Sequence, residues 1–149
     1  MGVVAIVAPE ENSLLGLLSS IIPVILSGNT CVAIVSEKLP LCAISLAEVI
    51  SNSDVPNGVV NIITGNKEEL APHLAQHMDV NALGINTDNK ELKNQFFFQG
   101  SNNLKRVVDV SKFNVEDSNF ESPYIVKKFM EAKTTWHPIE KDFTLSNNY

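Results

Sequence analysis

Cations, cysteines and early charges are what this 149-residue chain has least of. It carries 11 Lys and Arg against 17 Asp and Glu, a formal net charge of −6, and Lys105-Arg106 is too short to be a basic patch. Binding to phosphate backbones is therefore excluded as its main task, and no nucleic-acid partner is expected. Two cysteines, Cys31 and Cys42, are too few for a disulfide framework and lack metal-ligand spacing. Residues 1–65 hold only six charges, Glu10, Glu11, Glu37, Lys38, Glu48 and Asp54, out of twenty-eight Lys, Arg, Asp and Glu in the chain. The first part reads as core and the remainder mostly as surface.

An uncharged run of twenty-five residues, Asn12 to Ser36, is long enough to raise a membrane span. Pro23 and Ser27-Gly28-Asn29-Thr30 break it, acids flank it, and no basic cluster orients it, so a buried helix followed by a buried strand is the better reading and no membrane partner is expected. No basic residue precedes the apolar stretch as in a secretory signal. Together with the cysteine usage, this makes a reducing cytoplasm the expected compartment.

What remains is an alternation. Gly2 to Ala8 is a continuous apolar, β-branched run ended by Pro9, the pattern of a strand covered on both faces. Ser13 is placed to cap a helix over Leu14 to Leu26, with Gly28 as its C-terminal stop and a kink or early end expected at Pro23. Thr30 to Val35 reads as a second strand, Leu39-Pro40 to Ser51 as a helix, and Val59 to Thr64 as a third strand. Lys67 to Gln76 reads as a third helix, weakened by Pro72, and Val80 to Ile85 as a fourth strand. Beyond residue 86, Asn86 to Lys90 is turn-like and Phe96-Phe97-Phe98 suggests a sheet edge or core strand, or a docking surface. Leu104 to Val110 suggests a last strand, and Pro123 to Lys133 has helical spacing. Strand–helix–strand units with short connections imply an α/β fold, a parallel sheet with helices on both faces. One domain over 1–140 is expected, with 141–149 a flexible tail.

Three blocks carry a family likeness: Gly2 to Pro9 followed by a helix, Ser27-Gly-Asn-Thr-Cys-Val-Ala-Ile-Val-Ser-Glu37, and Asp54-Val-Pro-Asn-Gly-Val-Val-Asn-Ile-Ile-Thr-Gly65. In order and spacing they resemble the Rossmann-like cofactor-binding domain of the aldehyde dehydrogenase superfamily, most clearly over 2–85. Asn103-Leu-Lys-Arg106 and Lys133-Thr-Thr-Trp-His137 resemble a divergent branch that carries a second, inactive-looking dehydrogenase copy. The resemblance implies an NAD or NADP site, with Glu37 accepting from the adenosine ribose and Gly65 allowing close approach on the adenine side. Ser36 ends the same strand as Glu37, and Val7, Ala8 and Pro9 would form the nicotinamide-side wall. By elementary geometry, Pro9, Ser36-Glu37 and Gly65 should share the carboxyl edge of the sheet, where a dinucleotide binds.

The departures weaken that site. Ile34 stands where the family has a second ribose contact, a lysine. The family's Pro-Trp-Asn-Phe-Pro segment is here Pro9-Glu10-Glu11-Asn12-Ser13, so Glu11 takes the place of the oxyanion-binding Asn. Thr87-Asp88 replaces the Gly-Ser at the phosphate-side helix start, putting an acid beside a pyrophosphate. The catalytic cysteine and glutamate segments have no counterpart, and no catalytic residue is assigned. Cys31 lies in a buried strand and Cys42 near a helix start, where small apolar packing explains both.

His73 and His77, with Asp79 behind them, have the spacing of a metal pair but lack a clear third ligand, so a solvated helix face is preferred and no metal is expected. The expected function is thus that of a partial or degenerate aldehyde dehydrogenase-like copy, inactive alone. Its partners would be a dinucleotide and either a second copy or a longer dehydrogenase chain, since Gly2 falls where the family is already mid-chain. The alternative is a non-catalytic interaction domain.

Overall fold

The structure is a computed structural model that describes residues 2–111 and 122–137; the expected tail at 141–149 lies outside the described residues. Five strands, β1 (Val3–Val7), β2 (Thr30–Ile34), β3 (Val60–Ile63), β4 (Val80–Ile85) and β5 (Arg106–Asp109), alternate with helices α1 (Ser13–Leu26), α2 (Leu41–Ser51), α3 (Lys67–Gln76) and α4 (Lys90–Ser101). A short α5 (Pro123–Lys128) follows. All strand pairs are parallel, in the order β3-β2-β1-β4-β5.

Alternation along β1 divides the core into two layers. Val4, Ile6 and Ala8 pack with Leu17, Ile21 and Val24 of α1, Ala43 of α2 and Phe129 just beyond α5. Ala5 and Val7 face the other way, toward Ala71 and Ala75 of α3 and Leu92 and Phe96 of α4. Successive strand residues point to opposite faces, so an unbroken apolar run is what a strand covered on both sides requires. The charge-poor residues 1–65 supply the edge strand β3 and its neighbours β2 and β1.

Gly28 ends α1 as expected. At φ +79° it donates to Ile25 O at 2.9 Å while Asn29 N donates to Val24 O at 3.2 Å, a Schellman closure that needs the left-handed residue. Asn29 then ties this corner to α5 and to the chain start. Its Nδ2 donates to Phe129 O at 2.8 Å and its Oδ1 accepts from Gly2 N at 2.9 Å.

Three local expectations are corrected. Ser13 does not cap α1; the N-cap is Asn12, at φ 52° and without a side-chain cap bond. Pro23 neither ends nor shortens α1, which runs on to Leu26. Pro23 lies in the last turn, where it removes one intrahelical bond while Ile21 and Val24 stay locked in the core. Pro72, the sixth of ten residues in α3, does not prevent the helix expected over Lys67 to Gln76. Phe96-Phe97-Phe98 is helix rather than strand, because Leu92, Phe96 and Gly100 recur every four residues on the buried face of α4. Phe98 is left 72% exposed. Gly100 permits that packing, since a Cβ there would fall 2.6 Å from Leu83 Cδ1.

Candidate functional site at the carboxyl edge of the sheet

In the order β3-β2-β1-β4-β5 the chain reverses direction of winding between β1 and β4, and ligands of open α/β sheets bind outside the strand ends at such a point. Here β1 runs out at Pro9 and β4 at Asn86, whose N–H donates to Val7 O at 2.9 Å. A cleft of about 240 Å³ opens above them, lined by Pro9, Glu10, Glu11, Lys38 and Asn86 to Asn89. It continues into a second hollow of about 190 Å³ that includes Glu37, Lys38, Lys67 and Leu92.

The structure brings the expected site residues to this edge unequally. Pro9 is half-buried and lines the cleft. The side chains of Val7 and Ala8, 0% and 1% exposed, belong to the two core layers instead, so their contribution at the edge is backbone. Pro9 is held from behind: a Cβ on Gly16 of α1 would fall 2.3 Å from Pro9 Cγ, so the helix meets the strand exit closely. Gly65 has φ +151° and would place a Cβ 2.8 Å from Leu70 Cδ1. Its own turn and the packing of α3 therefore account for the glycine. Ile34 is fully buried in the α3/α4 layer, as an apolar residue at the lysine position must be.

Two residues at the centre of the site, Glu10 and Lys67, were absent from the sequence-based set. Lys67 is the first residue of α3 and only 4% exposed. Its Nζ donates to Ala8 O at 2.6 Å and pairs with Glu10 Oε1, and its backbone N–H donates to Glu37 Oε1. Glu10 Oε2 accepts from Ser36 Oγ at 2.8 Å, Glu37 N at 3.1 Å and Lys38 N at 3.3 Å. Ser36 Oγ in turn accepts from Leu39 N at 3.2 Å. Burial opposes ionisation of Glu10, but the Lys67 ammonium, the Ser36 hydroxyl and the Lys38 amide outweigh it and hold the carboxyl at about 2. The signal for Lys67 was available: a lysine at a helix N-terminus opposes the dipole and calls for a carboxylate partner. The partner itself, fifty-seven positions earlier, was not.

On the far side of the cleft Asn89 caps α4, accepting from Glu91 N at 3.0 Å and Leu92 N at 3.2 Å. Thr87 is half-buried and Asp88 exposed. The cysteines are not near this chemistry: burial pushes the Cys31 thiol up to about 11, and Cys42 is exposed at the start of α2. Among the described residues there is no cluster of three or more His, Cys, Asp or Glu able to hold a metal ion, His73 and His77 included. No helix among them is long and apolar enough to cross a membrane.

Comparison with known proteins agrees with this geometry. The model of the aldehyde dehydrogenase family matches residues 1–108. The NADP/NAD-dependent aldehyde dehydrogenase PuuC of Escherichia coli (strain K12) is 33% identical over 107 residues, 72% of this chain and 22% of that protein. Among solved structures, an aldehyde dehydrogenase from Bartonella henselae matches with a TM-score of 0.68 at 30% identity. Aldehyde dehydrogenase C from Pseudomonas syringae, complexed with NAD+ and octanal, matches with a TM-score of 0.69 at 28% identity; each match covers 72% of this chain and 22% of the other. The chain thus spans about a fifth of the length of these relatives. From β1 to β5 the sequence follows the family's model and the sheet follows its solved members: this chain belongs to the aldehyde dehydrogenase family.

Proposed function

We propose that this chain provides the dinucleotide-binding sheet of an NAD(P)-dependent aldehyde dehydrogenase, holding the cofactor across the β1/β4 switch point. The observation that carries the reading is Glu37: an exposed carboxylate at the end of β2, oriented by the Lys67 backbone N–H and lining the hollow into which the cleft continues. A carboxylate so held accepts from the paired hydroxyls of a ribose. The residues present fit the ribose end of a dinucleotide. They fit its phosphates less well, because Asn89 already takes two amides at the start of α4 and Asp88 adds a negative charge.

When bound, the nicotinamide ring accepts the hydride of aldehyde oxidation. This chain's residues bind and orient: Glu37 the ribose, Lys38 the anionic middle of the ligand across the cleft, and Pro9 the wall at the exit of β1. The nucleophile and water-activating base are not assigned to any residue of this chain, so the chain alone should not oxidise aldehydes. Titration with NAD, followed by calorimetry, tests the reading. Saturable binding that Glu37→Ala weakens about tenfold is expected, and no binding at millimolar NAD removes it.

A second reading, a non-catalytic interaction domain, is favoured by an apolar groove of about 400 Å³ between α1 and α2, lined by Leu14, Leu41, Cys42, Ser45, Leu46 and Val49. Light scattering separates the two readings. A strictly monomeric chain that binds NAD counts against the second.

A further inference from the structure

Glu10 is bound as a ligand would be. Its carboxylate collects a hydroxyl donor from Ser36, two consecutive backbone amides from Glu37 and Lys38, and a buried ammonium from Lys67. Successive main-chain N–H groups backed by a cation make an anion-binding concavity, and Arg, Lys and amide donors of this kind serve phosphate as readily as carboxylate. Nothing in the fold demands that the anion be Glu10. It comes from the loop between β1 and α1, whereas three of the four donor residues lie in the loop that ends β2. Its side chain is 29% exposed, against 5% for Lys67, so the concavity opens to water on the side where Glu10 sits. It also borders the hollow that holds Glu37 and Lys38.

We propose that Ser36, Glu37, Lys38 and Lys67 form an oxyanion nest in which Glu10 is the resident anion, and that Glu10 thereby bars a phosphate monoester from the ribose end of the cleft. The ligand class kept out is a 2′-phosphorylated dinucleotide, and the class admitted is the unphosphorylated one. Two carboxylates, Glu10 and Glu37, then face the 2′ position, and the buried ammonium in contact with Glu10, that of Lys67, is already neutralised by it. Removing Glu10 leaves the same donors around a space that a phosphate can fill. Its placement at the ribose rests on the dinucleotide reading above, whereas the nest itself does not.

The test uses the full chain and two ligands. Thermal melts of the wild type, Glu10→Ala and Glu10→Ala with Lys67→Met are recorded in inorganic phosphate and in sodium chloride of equal ionic strength. Glu10→Ala should melt below the wild type in chloride, and phosphate should raise its midpoint with the logarithm of its concentration, by about 5 °C at a hundredfold excess over the dissociation constant. The wild type should show no such rise, and the added Lys67→Met should abolish it. Equal rises in the wild type and Glu10→Ala, or none in Glu10→Ala, overturn the nest. Should Glu10→Ala not survive purification, it is refolded from urea: recovery in phosphate but not in chloride supports the nest, and recovery in neither overturns it.

Calorimetry with NADP and NAD then places the nest. The NADP-to-NAD affinity ratio should rise about tenfold in Glu10→Ala, and an unchanged ratio overturns the exclusion of the 2′-phosphate. If neither dinucleotide binds either protein, the cofactor reading and the proposed exclusion both fail, while the phosphate melts still decide whether the nest exists.

Discussion

Replacing Lys67 with Met removes an ammonium from a place where almost no water reaches it. The side chain is 5% exposed, and it satisfies both Ala8 O, at the buried end of β1, and Glu10. Leaving the Ala8 carbonyl unpaired costs about 1–3 kcal/mol. The lost ion pair adds less than the 3–5 kcal/mol typical of a fully buried pair, because Glu10 is 29% open to solvent and keeps Ser36, Glu37 and Lys38 as donors; about 1 kcal/mol is a fair allowance. Met returns about 1 kcal/mol through apolar burial along the same stem. The net is a loss of about 2 kcal/mol, a fall of about 4–8 °C in midpoint for a domain of this size. Urea unfolding of the wild type, Lys67→Met, Glu10→Gln and the double variant measures it. Glu10→Gln alone strands the buried ammonium, so the double variant should be less destabilised than the sum of the singles by more than about 0.5 kcal/mol. Additive losses would refute the claim that Lys67 and Glu10 are held in place by each other.

The same carboxylate predicts an acid limb. Glu10 titrates at about 2 instead of 4.5, so its stabilisation is complete above about pH 4.5 and disappears as the pH falls through 2. After discounting for solvent, this is about 1–2 kcal/mol. The gap in urea midpoint between the wild type and Glu10→Gln should close between pH 5 and pH 2, and a constant gap contradicts the assignment. Gly16→Ala should destabilise by about 1–3 kcal/mol although Ala is the better helix former by about 1, because its Cβ would lie 2.3 Å from Pro9 Cγ and 3.3 Å from Glu11 O; a stabilised variant in thermal melts sinks this. Asn29→Ala should cost about 2 kcal/mol and release α5, seen as faster amide exchange at Ile125 and Phe129 than in the wild type; unchanged exchange there would mean that the Asn29 bond does not anchor α5.

Much of the architecture was legible because its signals are local. Val3–Val7 is apolar on both faces, as is Val80–Ile85 apart from the exposed Asn81, and Gly28 marks the place where α1 closes with a left-handed residue. The carboxyl edge was legible too, since parallel strands put Pro9, Ser36 and Gly65 at one end whatever the details. The reading failed where local pattern is ambiguous. Three consecutive phenylalanines carry no period by themselves, and only the spacing of Leu92, Phe96 and Gly100 against Leu83 and Val107 makes them helical. The early end expected at Pro23 does not occur, because α1 keeps its buried face through Val24 and runs on to Leu26.

The sequence alone determined an alternating α/β chain, a family and an edge. Tertiary structure decided what stands at that edge. Glu10 and Lys67 are separated by fifty-seven positions and lie in segments whose local patterns do not refer to each other. They meet because β1 is hydrogen-bonded to β2 and because α3, packed beneath β1 and β2 through Ala71 and Ala75, begins just past the end of β3. Local sequence sets φ, ψ and hydrophobic period; which charge is desolvated next to which other charge depends on the order of the strands.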